Sequence, residues 1–403
     1  MKRILQTILL LASIAGTTSC DKENEPPHIP SGRYLVGTTA SEVVDKNQMA
    51  DRGSYDFDRS LLDLLPSLPV RVDRIEYRTT DPFGRSVIAS GIVSYPILLP
   101  VRGTVVAQHF NTSANRDVPS VIMGGIESLL SYAGYVVISV DYLGFGSSVD
   151  MVHPYHHVES TGQSTVDMVL AVQEYFTALG RTPPNDVTVI GYSQGGAAAL
   201  AFQKVSEEKY AEEIRIRQVF AGAGAYDLVA TYEALQQHPT APFPLMIPTL
   251  YLGLDYAENL QLDFSHIFKG KLLEHYEEWI LAKTLNNGEL NSELGTDFWA
   301  FMNEDVFNPQ HPQTARFIQA LEKNSLLNWM PQAPLALVQS EDDEYLPFVN
   351  ARNAYDAFKA QGCDVRLIRF EGTGHVETGV SYFMFVLGEL GLIDSQGNYS
   401  SAE

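Results

Sequence analysis

The sequence predicts an α/β protein built on a mostly parallel, doubly wound sheet, and three observations carry that expectation. Short, nearly continuous apolar runs recur at 103–109, 135–140, 186–191, 219–223, 334–339 and 364–370. Runs of this kind fit strands buried on both faces of a parallel sheet. Segments with helical character lie between them, at 121–133, 160–179, 195–210, 347–361 and 376–390, which gives the strand–helix alternation of a doubly wound fold. Ahead of these, residues 72–77 and 86–95 alternate in polarity around the turn Asp81-Pro82-Phe83-Gly84. That pattern predicts an N-terminal antiparallel hairpin.

One stretch breaks the rhythm. Residues 226–330 contain no clear strand but much helix-forming sequence, such as 271–283. Roughly a hundred residues between two sheet strands cannot be a structureless loop in a compact domain. They are expected to form a helical cap over one end of the sheet, leaving 33–225 and 331–403 as the core.

Composition narrows the function. The chain has 403 residues, 45% of them hydrophobic, enough for a large core. Its formal charge is −22, from 27 Lys plus Arg against 49 Asp plus Glu. Such a field repels phosphate backbones, so nucleic acid is excluded as a natural partner.

The N-terminus has a basic start, Lys2-Arg3, an apolar run from Ile4 to Ala15, and small residues up to Cys20. This is the pattern of a secretory signal, too short for a lasting membrane span. Residues 1–20 resemble a bacterial lipoprotein signal ending at Cys20, with Thr17 where such signals usually carry an apolar residue. The acidic Asp21-Lys22-Glu23-Asn24-Glu25 resembles the surface-export signal of Bacteroidetes lipoproteins. The resemblance implies lipid on Cys20 and anchoring to the cell envelope, at the outer membrane and cell surface. Residues 21–32, with Pro26, Pro27 and Pro30, suit a tether. Cys363, the other cysteine, then has no disulfide partner and is expected to be a partly buried structural residue.

The chemistry concentrates at three strand ends. Gly191-Tyr192-Ser193-Gln194-Gly195 follows an apolar strand and opens a helix at Gly196-Ala197-Ala198. A serine on so tight a strand-to-helix turn is held in a strained conformation that exposes its hydroxyl. A hydroxyl becomes a good nucleophile when a base takes its proton and a third group orients the base. Ser340-Glu341-Asp342-Asp343-Glu344-Tyr345-Leu346-Pro347 follows a later strand and offers an acid, Asp343 first and Asp342 as the alternative, with Asp227 more remote. Phe370-Glu371-Gly372-Thr373-Gly374-His375 follows the last strand and offers His375 as base.

These segments, with Asp141-Tyr142-Leu143-Gly144-Phe145-Gly146-Ser147-Ser148, resemble the α/β-hydrolase superfamily. The resemblance implies an α/β-hydrolase fold with Ser193 as nucleophile, His375 as general base and Asp343 as its orienter. It also implies an oxyanion hole formed by the backbone N–H of Gln194 and that of Phe110 or Asn111. The helical insertion resembles the lid of secretory lipases, which implies an exported esterase or lipase acting on small-molecule, lipid or glycan esters without a cofactor. A prolyl-type serine peptidase and a non-catalytic glycan- or lipid-binding lipoprotein are the competing readings. Phe243, Leu245, Met246, Ile247, Leu250, Tyr251 and Leu252 could line an acyl tunnel or pack the cap onto the sheet. His153-Pro154-Tyr155-His156-His157-Val158-Glu159 holds metal-capable side chains, but Pro154 makes it a loop and no metal site is expected.

Overall fold

The computed structural model describes residues 24–52, 60–63, 65–182, 184–237 and 242–393. The expected signal, Cys20 and residues 21–23 lie outside the described residues.

One nine-stranded sheet organises the molecule. Its strands are β1 (Leu35–Val44), β2 (Val70–Thr80), β3 (Ser86–Pro96), β4 (Gly103–Gln108), β5 (Tyr135–Val140), β6 (Asp186–Tyr192), β7 (Arg215–Gly222), β8 (Leu335–Ser340) and β9 (Val365–Phe370). They lie in the order β1-β2-β3-β5-β4-β6-β7-β8-β9. β1, β2, β3 and β5 pair antiparallel, and β5 through β9 pair parallel. The hairpin expected from the sequence is therefore part of a three-stranded antiparallel edge. β1 escaped the sequence reading because two register shifts, between Leu35 and Gly37 and between Thr38 and Ala40, break its alternation. A bulge moves later side chains to the opposite face, so no two-residue period survives. Residues of the expected tether lie against this edge: Asn24 Oδ1 accepts from the Val43 N–H at 3.1 Å and the Glu25 carbonyl from Arg71 at 3.0 Å.

Asp73 ties the edge together. Its fully buried carboxylate accepts hydrogen bonds from Arg71 at 2.9 Å, Tyr95 at 2.8 Å and Tyr175 at 2.5 Å, and from the Ser41 hydroxyl. Those partners lie on β2, β3, the following helix layer and β1, so one ion joins four elements. A buried carboxylate is tolerable only when satisfied in this way.

The helices of the core are α1 (Val158–Ala178), α2 (Gln194–Lys209), α8 (Val349–Ala360) and α9 (His375–Glu389). α1 crosses α2 at a glycine. A Cβ on Gly162 would lie 2.5 Å from the Ala201 carbonyl oxygen. The single helix expected over 121–133 is instead a short helix, Pro119–Ile122, and a 3-10 segment, Ile126–Ala133. Gly124 and Gly125 divide it with φ of 153° and 147°, a backbone region that other residues avoid.

The cap lies between β7 and β8. It contains α3 (Leu228–Gln237), α4 (Met246–Glu258), α5 (Gly270–Tyr276), α6 (Asn287–Leu294) and α7 (Pro312–Asn324). A single isolated bridge, Phe268 to Met302, is its only β pairing among the described residues. The expected helix over 271–283 begins as α5 and continues through a π-helical turn, Glu277–Leu281. The cap has its own apolar core, in which Tyr251 stacks on Phe317 with ring centroids 3.7 Å apart. Leu245, Met246, Ile247, Leu250, Tyr251 and Leu252 are all buried there. Among the described residues, no helix is long and apolar enough to cross a membrane.

Candidate active site

Backbone packing creates the site. β6 ends at Tyr192, Ser193 follows, and α2 begins at Gln194. Ser193 adopts φ 58° and ψ −123°, a strained conformation for a residue with a Cβ, of the kind that persists only where its surroundings over-determine it. Three glycines do so. A Cβ on Gly191 would lie 2.0 Å from the Gly195 carbonyl oxygen, one on Gly195 2.2 Å from that of Gln108, and one on Gly196 2.3 Å from that of Gly222. The Ser193 N–H donates to the Gly222 carbonyl at 2.9 Å. Strand and helix thus meet where no side chain fits, and Ser193 projects at the apex.

His375 opens α9 after the Gly-rich turn that leaves β9. Its Nε2 lies 2.9 Å from Ser193 Oγ, and its Nδ1 lies 2.8 Å from Asp343 Oδ2 and 3.0 Å from Oδ1. Asp343 and His375 are buried, at 8% and 5% exposure. Asp343 Oδ1 also accepts the backbone N–H groups of Tyr345 and Leu346, at 3.0 and 2.8 Å. The three residues named from chain order form one continuous hydrogen-bonded line.

The neighbouring acids have separate partners. Glu341 pairs with Arg369 at 3.0 Å, Asp342 accepts the Gly372 N–H at 2.6 Å, and Glu344 accepts the His375 backbone N–H at 2.8 Å. The run of four acids is therefore a clamp. Three members shape the loops that deliver His375, and only Asp343 reaches its ring. Asp342, the alternative acid, is thereby displaced from that role. Asp227 lies elsewhere, with Oδ1 capping α3 at the Ala230 N–H and Oδ2 accepting from Asn353. Tyr192 and Tyr345, which the sequence did not single out, flank the imidazole. Tyr345 stacks on it with centroids 4.9 Å apart, and the Tyr192 hydroxyl donates to the His375 carbonyl at 2.6 Å. No sequence spacing marks either tyrosine, because both act through tertiary packing.

The loop after β4 runs beside the elbow and is tied to the cap. The His109 carbonyl accepts from the Tyr142 hydroxyl at 2.8 Å, and the Phe110 carbonyl accepts from His109 Nδ1 at 2.7 Å. The Asn111 carbonyl accepts from Asn287 at 2.7 Å, while Ser113 Oγ donates to the Leu285 carbonyl at 2.8 Å. Lys283, buried in the cap, donates to the Val149 and Met151 carbonyls at 2.7 and 2.6 Å. Gln194 is the first residue of α2, so its backbone N–H has no intrahelical acceptor. Its side-chain amide donates to His153 Nε2 at 3.1 Å, and His153 Nδ1 donates in turn to the Leu143 carbonyl at 2.7 Å. This arrangement fixes the neutral tautomer. Burial lowers His153 to about 3 and His109 to about 4.

The expected loop over 153–159 ends at His157, since Val158 and Glu159 already belong to α1, and the metal-capable side chains His157 and Glu159 diverge. His157 caps α1 at the Ser160 N–H, and Glu159 pairs with Lys209. Asp141, after β5, accepts from Ser90 Oγ at 2.5 Å and the Ser120 N–H at 2.8 Å. It thus anchors the segment that walls the site. Cys363 is buried and has no disulfide partner among the described residues.

A cavity of about 440 Å³ opens beside Ser193 and His375. It lies between the 117–129 segment, the 49–52 segment and α9, with Phe243, Asn287 and Asn291 contributed from the cap and Tyr345 from the loop after β8. Of the seven apolar residues considered for a tunnel, Phe243 alone lines it. The other six turn inward to the cap's core, because a cap of this size must bury its own apolar faces to fold. Phe243 stacks on Tyr345, centroids 5.2 Å apart, so aromatic contact runs from the cap to His375.

Fold and site together define an α/β-hydrolase. The chain belongs to the secretory lipase family, whose profile matches residues 121–382. It is 25% identical over 264 residues to a secreted triacylglycerol lipase of Malassezia globosa, a match covering 64% of this chain and 54% of that one. The match therefore spans about half the length of that relative. Among solved structures, the rice cell wall degrading esterase LipA from Xanthomonas oryzae superposes with a TM-score of 0.71 at 22% identity, covering 88% of this chain and 97% of that one. Candida antarctica lipase A in its closed state superposes with a TM-score of 0.64 at 15% identity, covering 93% and 85%.

The buried histidines set a pH dependence. An unfolded histidine titrates near 6.5, whereas folded His153 and His109 stay neutral far below that. Between these values the unfolded chain binds protons that the folded chain refuses, so stability falls as pH falls from 7 to 5. Each histidine should contribute about 2 kcal/mol to that loss at pH 5. Urea unfolding of wild type and His153→Gln at both pH values checks this. The variant should lose about 2 kcal/mol less on acidification, and equal losses would contradict the assignment.

Proposed function

We propose that the protein hydrolyses carboxylic esters through an acyl-enzyme formed on Ser193. The observation that carries the reading is the hydrogen-bonded line Ser193–His375–Asp343, set on a strained elbow beside the cavity. His375 Nε2 takes the Ser193 proton as Oγ attacks the ester carbonyl, then gives it to the departing alcohol. Asp343 holds Nδ1–H toward itself and stabilises the imidazolium. The oxyanion is received by the backbone N–H of Gln194, at the positive end of α2, and that of Phe110 or Asn111. Water then attacks the acyl-enzyme by the reverse use of His375.

Membership of a secretory lipase family and likeness to a secreted triacylglycerol lipase support an exported enzyme acting on lipid or other apolar esters. The cavity walls suit such groups: Ile122, Leu129 and Phe383 lie within, and Val376 and Val380 are exposed on α9 where it borders the opening. The lipoprotein-type N-terminus supports anchoring through lipid on Cys20. Incorporation of an alkyne-tagged fatty acid by the producing cells, lost in Cys20→Ser, is the expected result; equal labelling of both would contradict the anchor.

p-Nitrophenyl esters of increasing chain length, with an aminoacyl p-nitroanilide beside them, test the activity. Ester turnover should fall by about 10⁴-fold or more in Ser193→Ala, and by about 10³–10⁴-fold in kcat for Asp343→Asn. Asp342→Asn should stay within a few-fold of wild type. Turnover of the anilide alone would move the assignment to a peptidase, and turnover of neither to a binding protein.

A further inference from the structure

The cavity beside Ser193 contains a carboxylate that the ester chemistry does not use. Glu127 lies in the first turn of the 3-10 segment Ile126–Ala133, on the wall formed by the 117–129 segment. The glycines before it bring its carboxylate back over the backbone: a Cβ on Gly125 would lie 2.8 Å from Glu127 Oε2. Beyond its own backbone N–H the carboxylate has no hydrogen-bond or ion-pair partner among the described residues. Burial pushes it up to about 7. Groups that could have satisfied it are engaged elsewhere. Arg52 lines the same cavity, but its guanidinium donates to the Met123 carbonyl and to Glu42. The Tyr382 hydroxyl donates to the Phe220 carbonyl, and that of Tyr142 to the His109 carbonyl.

An unpartnered carboxylate in a cavity walled largely by apolar side chains is a recognition element for whatever fills that cavity. A pure hydrocarbon chain lying against it would strip its remaining water and return no hydrogen bond. A substrate group carrying a hydroxyl would meet it favourably. Hydroxyl fits better than ammonium, because a hydroxyl can donate to the ionised carboxylate or accept from the protonated acid and so serves both forms of a group that titrates near neutrality.

Resting on the esterase reading above, we propose that Glu127 is a specificity-determining residue that selects esters bearing a hydroxyl on the apolar group held in this cavity. The protein then prefers hydroxylated acyl or alkyl esters over hydrocarbon esters of equal length. Sites that hydrogen-bond a substrate hydroxyl reject the analogue lacking it, because the protein's polar group is left unpaired.

The test uses two matched series of four to twelve carbons on the full chain. One series pairs p-nitrophenyl alkanoates with the corresponding ω-hydroxyalkanoates. The other pairs alkyl acetates with the corresponding hydroxyalkyl acetates. In wild type, kcat/KM for the hydroxylated member should exceed that of its partner at one or more lengths in at least one series. Glu127→Leu should collapse that ratio by about tenfold or more, chiefly through KM, while improving turnover of the hydrocarbon member. Glu127→Gln, which keeps hydrogen-bonding capacity, should retain part of the preference. A thermal midpoint for Glu127→Leu at or above that of wild type separates loss of recognition from loss of fold. If neither series shows a hydroxyl preference, or Glu127→Leu leaves the ratio unchanged, the role of Glu127 is overturned while ester hydrolysis stands. If no ester of either series is turned over, the esterase reading itself fails.

Discussion

The close approach of β6, β4 and the start of α2 is the constraint on which everything else rests. Gly195 sits so near the Gln108 carbonyl, and Gly191 so near Gly195, that a single methyl group at either position would require the backbone to move. That contact leaves Ser193 in a conformation it would not choose alone, with the start of α2 beneath it and the loop after β4 alongside. Strain at one residue is thus held by the packing of three elements, and the energy for it comes from the core around β6 and α2. Moving any one of these elements would disturb the serine, the helix N-terminus and the facing loop together.

A second layer of constraint delivers the histidine. Asp342, Glu344 and Ser340 each hold part of the 370–375 turn, Ser340 through the Thr373 carbonyl at 2.6 Å. Asp343 is thereby left to face the imidazole, with two backbone N–H groups sharing its charge. Tyr345 and Tyr192 then limit where the ring can turn. The cap contributes from above, since Asn287 and the Phe243–Tyr345 stack touch the site's two loops. Substrate selection therefore falls to the seam between cap and core, and the interior of the cap supplies packing.

Much of this was legible because it is local. The elbow pentapeptide and the buried parallel strands are properties of short segments, the roles of Ser193, Asp343 and His375 follow from the resemblance those segments carry, and the family match and fold bear out the α/β-hydrolase assignment. What was not legible depends on local backbone irregularities that a period does not report, or on distant chain segments meeting. β1 lost its alternation to register shifts. The 121–133 helix was divided by Gly124-Gly125, whose effect on direction a periodicity cannot report. The apolar stretch 245–252 gave the same signal whether it faced substrate or the cap's core, and it faces the core. Glu127 and Tyr345 had no signal, because a polar side chain becomes informative only when a cavity forms around it.

The central claim joins the strained serine to the cavity walled by 117–129 and α9. The most direct measurement is the crystal structure of the protein after reaction with a long-chain alkyl p-nitrophenyl phosphonate, which stops at the tetrahedral stage. The account predicts a covalent bond from phosphorus to Ser193 Oγ, a phosphonyl oxygen near the Gln194 N–H, and the alkyl chain beside Ile122 and Phe383. A chain running instead among Leu250, Tyr251 and Leu252, or a phosphonate bound to another residue, would contradict it.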